Sequence, residues 1–108
     1  MSTVIERYNA AEKLKDQGKV EEAATMLQEI LADEETHVLS HLTLARICTQ
    51  LGRHEDAVKH AERACELEPN ESMNFTVLSV TYQRAWAGTQ DQRYITMAED
   101  AMARSRML

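Results

Sequence analysis

The sequence has few of the residues that hairpins, disulfide frameworks and membrane spans require. It contains one proline, three glycines, two cysteines and five aromatic residues in 108. So few turn-forming residues argue against a fold made of short hairpins. No apolar run reaches the length of a membrane-spanning helix, and the first ten residues lack the basic and apolar segments of a signal peptide. We therefore expect no membrane association.

The same shortages limit the possible functions. Cys48 and Cys65 stand apart without a CxxC spacing, so we expect reduced core thiols in a cytoplasmic protein. The net charge of −6 argues against binding to a phosphate backbone and hence against a nucleic acid partner. There is no phosphate-cradling glycine loop, nucleophile motif or catalytic carboxylate pair. We therefore expect no enzyme activity, no catalytic residue and no cofactor.

What the sequence has in quantity is Ala, Glu, Leu, Met, Arg and Gln, which favour helices and predict an all-α fold. Helical spacing of apolar residues, with breaks at Gly18, Gly52 and Pro69, predicts four helices at about 4–17, 20–32, 37–51 and 54–68. A fifth helix, capped by Asn70 or Ser72, runs to about residue 86. A turn marked by Gly88 and Asp91 then leads to a sixth helix over 92–107.

An internal repeat of 34 residues is the strongest pattern in the chain. It superposes Gly18 on Gly52, and it carries Ala11 to Ala45 and on to Ser79. A helix pair of this size cannot bury its apolar face alone, so three pairs are expected to stack. The sequence thus predicts a single domain over 1–108, with repeats at about 4–37, 38–71 and 72–108.

The middle repeat resembles the tetratricopeptide repeat family. The residues that match the family pattern are Leu44, Ala45, Gly52, Ala57, Ala64 and Pro69. His41 and Cys48 replace the usual aromatic residues, and the third repeat departs with about three extra residues before Tyr94. The resemblance implies a right-handed α-α superhelix, or solenoid, of six helices. It also implies a non-catalytic scaffold or adaptor that binds a peptide or partner helix in a concave groove.

The register of the resemblance assigns the groove to the first helix of each repeat. The groove residues that it implies are Tyr8, Glu12, Leu39, Leu42, Arg46, Met73, Thr76 and Arg84. The alternative is that the apolar members are ordinary packing between helices. A variety of the family clamps the C-terminal carboxylate of a chaperone with Lys, Asn and Arg, but the corresponding places here hold Tyr8, Glu12, Thr43, Met73 and Val77. We reject that partner because Glu12 would repel a carboxylate.

The last helix suggests an alternative function, which is self-assembly. Solenoids normally add a polar helix after the last repeat, whereas here nothing follows Leu108. Trp86, Tyr94 and Met102 are therefore candidates for a homodimer contact through the C-terminal helices. The competing interpretation is that Trp86 and Tyr94 close the open end of the superhelix within the monomer.

The four histidines raise the question of a metal site. His37 and His41 share a helix face, and His54 and His60 lie in the next helix. Zinc needs three or four converging ligands, and His41 falls where the family places a buried large residue. We therefore expect structural histidines and no metal.

Overall fold

The computed structural model describes residues 3–108, which form six α-helices and no strand. The helices are α1 (Val4–Asp16), α2 (Val20–Asp33), α3 (Val38–Gln50), α4 (His54–Leu67), α5 (Ser72–Thr89) and α6 (Arg93–Met107). Consecutive helices pack on each other, and α3 also contacts α5. The molecule measures 44 × 28 × 21 Å. This confirms the predicted all-α solenoid of three helix–turn–helix repeats. Across residues 3–108, no helix is both long and apolar enough to cross a membrane.

The first two repeats turn in the same way, through a glycine in the left-handed region. Gly18 has a φ of 82° and Gly52 a φ of 77°. The amide after each glycine reaches back to the helix that has just ended: Lys19 N donates to Leu14 O at 2.9 Å, and Arg53 N donates to Cys48 O at 2.7 Å. Glycine takes this conformation without steric cost, so the sequence marked both turns correctly.

The third repeat turns differently, and here the prediction was wrong. Helix α5 has 18 residues, against 13 in α1 and in α3. It continues past Trp86 and through Gly88, and the left-handed residue is Gln90, with a φ of 62°. A Cβ on Gly88 would lie 2.1 Å from Nε2 of His54. Gly88 therefore serves to admit the His54 ring against α5 and not to turn the chain.

The core is built from small side chains. Ten alanines are almost wholly shielded from solvent: Ala11, Ala23, Ala24, Ala45, Ala57, Ala61, Ala64, Ala85, Ala98 and Ala101. Alanine lets helix axes approach closely, and the larger residues fill the spaces between pairs. The separation of 37 residues from Ala61 to Ala98 agrees with the three extra residues that were expected in the third repeat.

Two polar contacts at helix ends were missed in the sequence. Thr3 and Glu6 form a capping box at the start of α1, and the Thr-x-x-Glu spacing was the available pattern. Buried Asn74 donates from Nδ2 to the carbonyls of Ala64 and Glu68, both at 3.3 Å. It thereby gives each of these carbonyls a second donor, beside the backbone amides of Glu68 and Glu71. The cap predicted for α5 at Asn70 or Ser72 was wrong, because the N-cap is Glu71, without a side-chain bond.

Because His54 packs on Gly88, we expect the effect of Gly88→Ala on the free energy of unfolding to change sign when the His54 ring is removed. We expect Gly88→Ala to lower the free energy of unfolding by about 1 kcal/mol, because the new methyl group must displace the ring. In a His54→Ala background the same change should raise it by about 0.5–1 kcal/mol, because alanine is the better helix former. Urea unfolding followed by circular dichroism measures both. A destabilisation of equal size in both backgrounds would show that the ring is not the obstacle.

Candidate functional site

A groove lies between α3 and α5, with a volume of about 310 Å³. We call it the α3–α5 groove. Its lining residues are Arg46 and Thr49 from α3, and Met73, Thr76, Val77, Val80, Thr81 and Arg84 from α5. Four of the residues assigned to a groove by the sequence lie together here: Arg46, Met73, Thr76 and Arg84.

The floor of the α3–α5 groove is apolar, and its rim carries positive charge. Met73 is 58% exposed and Val80 is 42% exposed, although both are large apolar side chains. Met73, Val77, Val80 and Arg84 follow each other at helical spacing along one side of α5. Arg84 and Arg46 both line the groove. The arrangement suits an apolar segment with a neighbouring negative charge.

The two leucines assigned to the groove have different environments. Leu42 is buried and packs with Val38, Ala64 and Val77 in the core, so it offers no open surface and is excluded from the binding surface. Leu39 is 53% exposed, but it does not line the α3–α5 groove. The alternative considered for the apolar residues, packing between helices, thus describes Leu42 and does not describe Met73.

Tyr8 and Glu12 belong to a polar cluster that joins α1 to α3. The Tyr8 hydroxyl lies 2.8 Å from Oε1 of Glu12 and 2.7 Å from Oγ1 of Thr43. Thr43 donates to the same carboxylate at 3.1 Å, and Lys15 Nζ lies 3.1 Å from Oε2 of Glu12. These half-buried groups satisfy each other across the first repeat boundary, and they hold the first two repeats in register.

The electrostatics of this cluster follow from its contacts. Burial acts to raise the pKa of Glu12, but the hydrogen bond from Tyr8 and the contact with Lys15 outweigh it, so the pKa is lowered. Burial raises the pKa of Tyr8, and the neighbouring Glu12 adds to this effect. Glu12 is therefore a carboxylate and Tyr8 a neutral phenol at physiological pH, and neither is poised for acid–base chemistry.

The residues suggested for self-association are divided between two places. Trp86 and Met102 line an open pocket of about 590 Å³ between α5 and α6. We call this surface the C-terminal face; its other residues are Ser79, Gln83, Ile95, Ala98, Glu99, Ala103 and Arg106. Tyr94 is not part of it, because it stacks on Tyr82 with ring centroids 5.9 Å apart and packs against the core. Glu99 was not singled out from the sequence, although its spacing from Ile95 and Met102 places it on their helix face.

The histidines occupy three separate environments. His41 and His60 pair through their Nδ1 atoms at 3.0 Å, and Nε2 of His41 lies 2.7 Å from the carbonyl of Glu35. His37 lies edge-on to Tyr8, and His54 packs on Gly88. In the part of the chain that the structure describes, no three His, Cys, Asp or Glu side chains are grouped as metal ligands.

The family model for the tetratricopeptide repeat matches residues 14–73, more than half of the chain. The chain belongs to the tetratricopeptide repeat family. A solved structure with the same fold is that of the type III secretion translocator chaperone SycD of Yersinia enterocolitica, described as an alternative dimer. The two chains superpose with a TM-score of 0.69 and 14% identity, over 97% of this chain and 92% of that one. No curated protein sequence matches this tetratricopeptide repeat chain.

Because His41 and His60 are paired in the fold, we expect the free energy of unfolding to fall in mild acid. A carbonyl only accepts hydrogen bonds, so Nε2 of His41 carries the proton and Nδ1 of His41 accepts from His60. Burial, followed by the neighbouring His41, lowers the pKa of His60 below its usual value of 6.5. Below that value the unfolded chain binds a proton that the folded chain resists, so stability should fall as the pH drops from 7 towards 5.

The measurement is the free energy of unfolding in urea at several pH values. We expect His60→Gln to flatten the dependence between pH 7 and pH 5. Below the usual carboxyl pKa of 4.5 the variant should lose stability as the wild type does, because Glu12, with its lowered pKa, is present in both. An unchanged slope between pH 7 and pH 5 in His60→Gln would contradict the assignment.

Proposed function

We propose that this chain is a non-catalytic protein-interaction module that binds a partner segment in the α3–α5 groove. The observation that carries the proposal is the exposure of Met73 and Val80 beside Arg46 and Arg84. Tetratricopeptide repeats act as protein-binding scaffolds, and an exposed apolar surface with a polar rim is typical of interaction sites. Tyr8, Glu12 and Leu39, which the resemblance to the family also assigned to the groove, would extend this surface along α1 and α3.

The charge of the groove indicates what the partner carries. Within residues 3–108, neither Arg46 nor Arg84 has a carboxylate close enough for an ion pair; the pairs that form involve other cations. The chain as a whole has a net charge of −6, so an acidic partner would be repelled elsewhere. Two unpaired guanidinium groups at the rim favour a segment with Asp or Glu next to its apolar anchors. The partner in this proposal is an acidic, apolar peptide or helix of another protein.

The polar cluster supports the choice of the α3–α5 part of the groove. Tyr8, Glu12 and Thr43 already bond to each other, so a ligand would have to break existing hydrogen bonds to engage them. Met73 and Val80 have no such contacts to lose, and covering them removes apolar surface from water. Binding energy is therefore expected mainly at α5.

A second candidate function is self-association through the C-terminal face. The observation that favours it is the exposure of Trp86 and Ile95, at 38% and 40%, beside Met102. SycD, which shares the fold, is described as a dimer. The C-terminal face and the α3–α5 groove share helix α5 but no lining residue, so both functions are compatible in one molecule.

We place both functions in the cytoplasm. Cys48 and Cys65 are free and buried, and burial raises the pKa of the Cys65 thiol to about 11, with Glu62 and Glu66 adding to the effect. Such thiols behave as small core residues and are protected from oxidation. The proposal therefore needs no disulfide and no cofactor.

The test is a selection from a random peptide library on the wild-type protein. We expect the selected peptides to carry apolar residues flanked by Asp or Glu. Val80→Asp should weaken their binding by about tenfold or more, because it places a charge in the apolar floor. Arg84→Glu should weaken it by about tenfold and reverse its salt dependence. Fluorescence anisotropy with labelled peptides measures both effects.

The matched control is Lys59→Glu, a charge reversal at an exposed position of α4, which should leave peptide affinity unchanged. Circular dichroism checks that each variant folds. Peptides that bind Val80→Asp and Arg84→Glu as tightly as the wild type would show that the ligand binds elsewhere.

A further inference from the structure

The part of the C-terminal face that belongs to α6 has a symmetric charge pattern. Its residues follow each other at helical spacing: Ile95, Ala98, Glu99, Met102, Ala103 and Arg106. Only two charged side chains line this face, Glu99 and Arg106, and their charges are opposite. Neither forms an ion pair with another residue of 3–108. Both charges are therefore available to an external partner.

The spacing of Glu99 and Arg106 along α6 is compatible with a two-fold axis between two copies of the chain. Glu99 and Arg106 are seven residues, or two helical turns, apart, which is about 10 Å along the helix. Their midpoint falls between Met102 and Ala103, which both belong to the stripe. A two-fold rotation about an axis through this point, perpendicular to α6, brings Glu99 of one copy opposite Arg106 of the other, and the reverse.

We propose that two copies of this chain dimerise by antiparallel packing of α6 on α6, centred on Met102 and Ala103, with two reciprocal Glu99–Arg106 ion pairs. This arrangement rests on the proposed self-association of the C-terminal face and specifies its geometry. Ala103 lets the two helix backbones approach. Met102 is flexible enough to fill the gap at the centre. Ile95 and Trp86 lie at the outer end of the C-terminal face, where the last residues of the other copy approach them.

The charges favour antiparallel packing of α6 over the other ways of pairing two copies. A parallel packing of α6 would set Glu99 against Glu99 and Arg106 against Arg106, which is repulsive. A head-to-tail stack would bring this face to the first repeat of the next copy, whose residues 1–37 carry nine acids and four bases. One positive and one negative charge on the C-terminal face give no net attraction to that acidic end. Only the two-fold arrangement satisfies both charges of each copy.

Charge reversal tests the geometry directly. We expect Glu99→Arg and Arg106→Glu each to weaken dimerisation by about tenfold, because each variant turns two attractive pairs into two repulsive ones. The double variant, which carries both changes in one chain, should dimerise within about threefold of the wild type. An equimolar mixture of the two single variants should form heterodimers, because both of their pairs are attractive. Sedimentation equilibrium measures the dissociation constants.

The chain supplies its own optical reporter and a control. Trp86 is the only tryptophan, so its emission should shift to shorter wavelength as the wild type is concentrated and dimerises. Lys59→Glu, a reversal at an exposed position of α4, should leave dimerisation unchanged. Met102→Asp should abolish the dimer whatever the charges, because it places a carboxylate at the apolar centre of the contact.

The outcomes separate this geometry from the proposal on which it rests. A dimer that Met102→Asp abolishes, but that neither charge reversal weakens, overturns the two-fold ion pairs and leaves self-association of the face intact. A wild type that stays monomeric at about millimolar concentration overturns both, since it fails even the weak affinity of a small interface. The C-terminal face would then belong to another protein or to further residues of a longer chain. A dimer that none of the three variants affects lies elsewhere and overturns both as well.

Discussion

Close approach of helices through small buried side chains is the constraint on which the whole molecule depends. Ala11, Ala45 and Ser79 recur on the first helix of the three repeats and are all fully buried. Where such residues meet, no space remains for a larger side chain, so the distance between helices is fixed by backbone and Cβ contact. The small side chains therefore fix the spacing of the helices, including α3 and α5, which line the groove.

Polar contacts across the repeat boundaries complement this packing. Glu12 and Thr43 link α1 to α3, Arg53 reaches Glu21 at 2.7 Å, and the Tyr82 hydroxyl donates to Glu62 at 2.6 Å. Exposed ion pairs contribute little to stability, but half-buried hydrogen bonds leave unsatisfied groups if the register shifts. Packing thus sets the spacing of the repeats, and the polar contacts set how each one is rotated on the next.

The surface that remains differs from one repeat to the next. At the boundary between the first two repeats the polar side chains bond to each other, whereas α5 leaves Met73 and Val80 exposed. Helix α6 presents a third kind of surface, in which Glu99 and Arg106 flank Met102. These differences arise because each repeat has only two neighbours in a solenoid, so residues that do not face a neighbour are free to serve a partner. The proposed peptide groove and the proposed dimer contact both use that freedom.

Much of the architecture was predictable from spacing alone. The 34-residue period, with Gly18 and Gly52 at its turns, gave the helix pairs and the family. The resemblance to the family also assigned Arg46, Met73, Thr76 and Arg84 to one groove, and the structure brings them together. It did not reveal that Leu42 points into the core, because a helix pattern does not show how far the next helix covers each face.

The sequence by itself determined the number of helices, their pairing and the small residues between them, because these follow from local spacing and turn geometry. Only the tertiary structure decided that Gly88 lies inside a helix, that Tyr94 joins the core and that Glu99 and Arg106 share an open face. In the first two cases the deciding contact joins residues on different helices, His54 with Gly88 and Tyr82 with Tyr94. A glycine can permit a left-handed turn, as at Gly18, or make room for a neighbouring ring, as at Gly88. The sequence shows the same residue in both roles, and only its neighbours in space distinguish them.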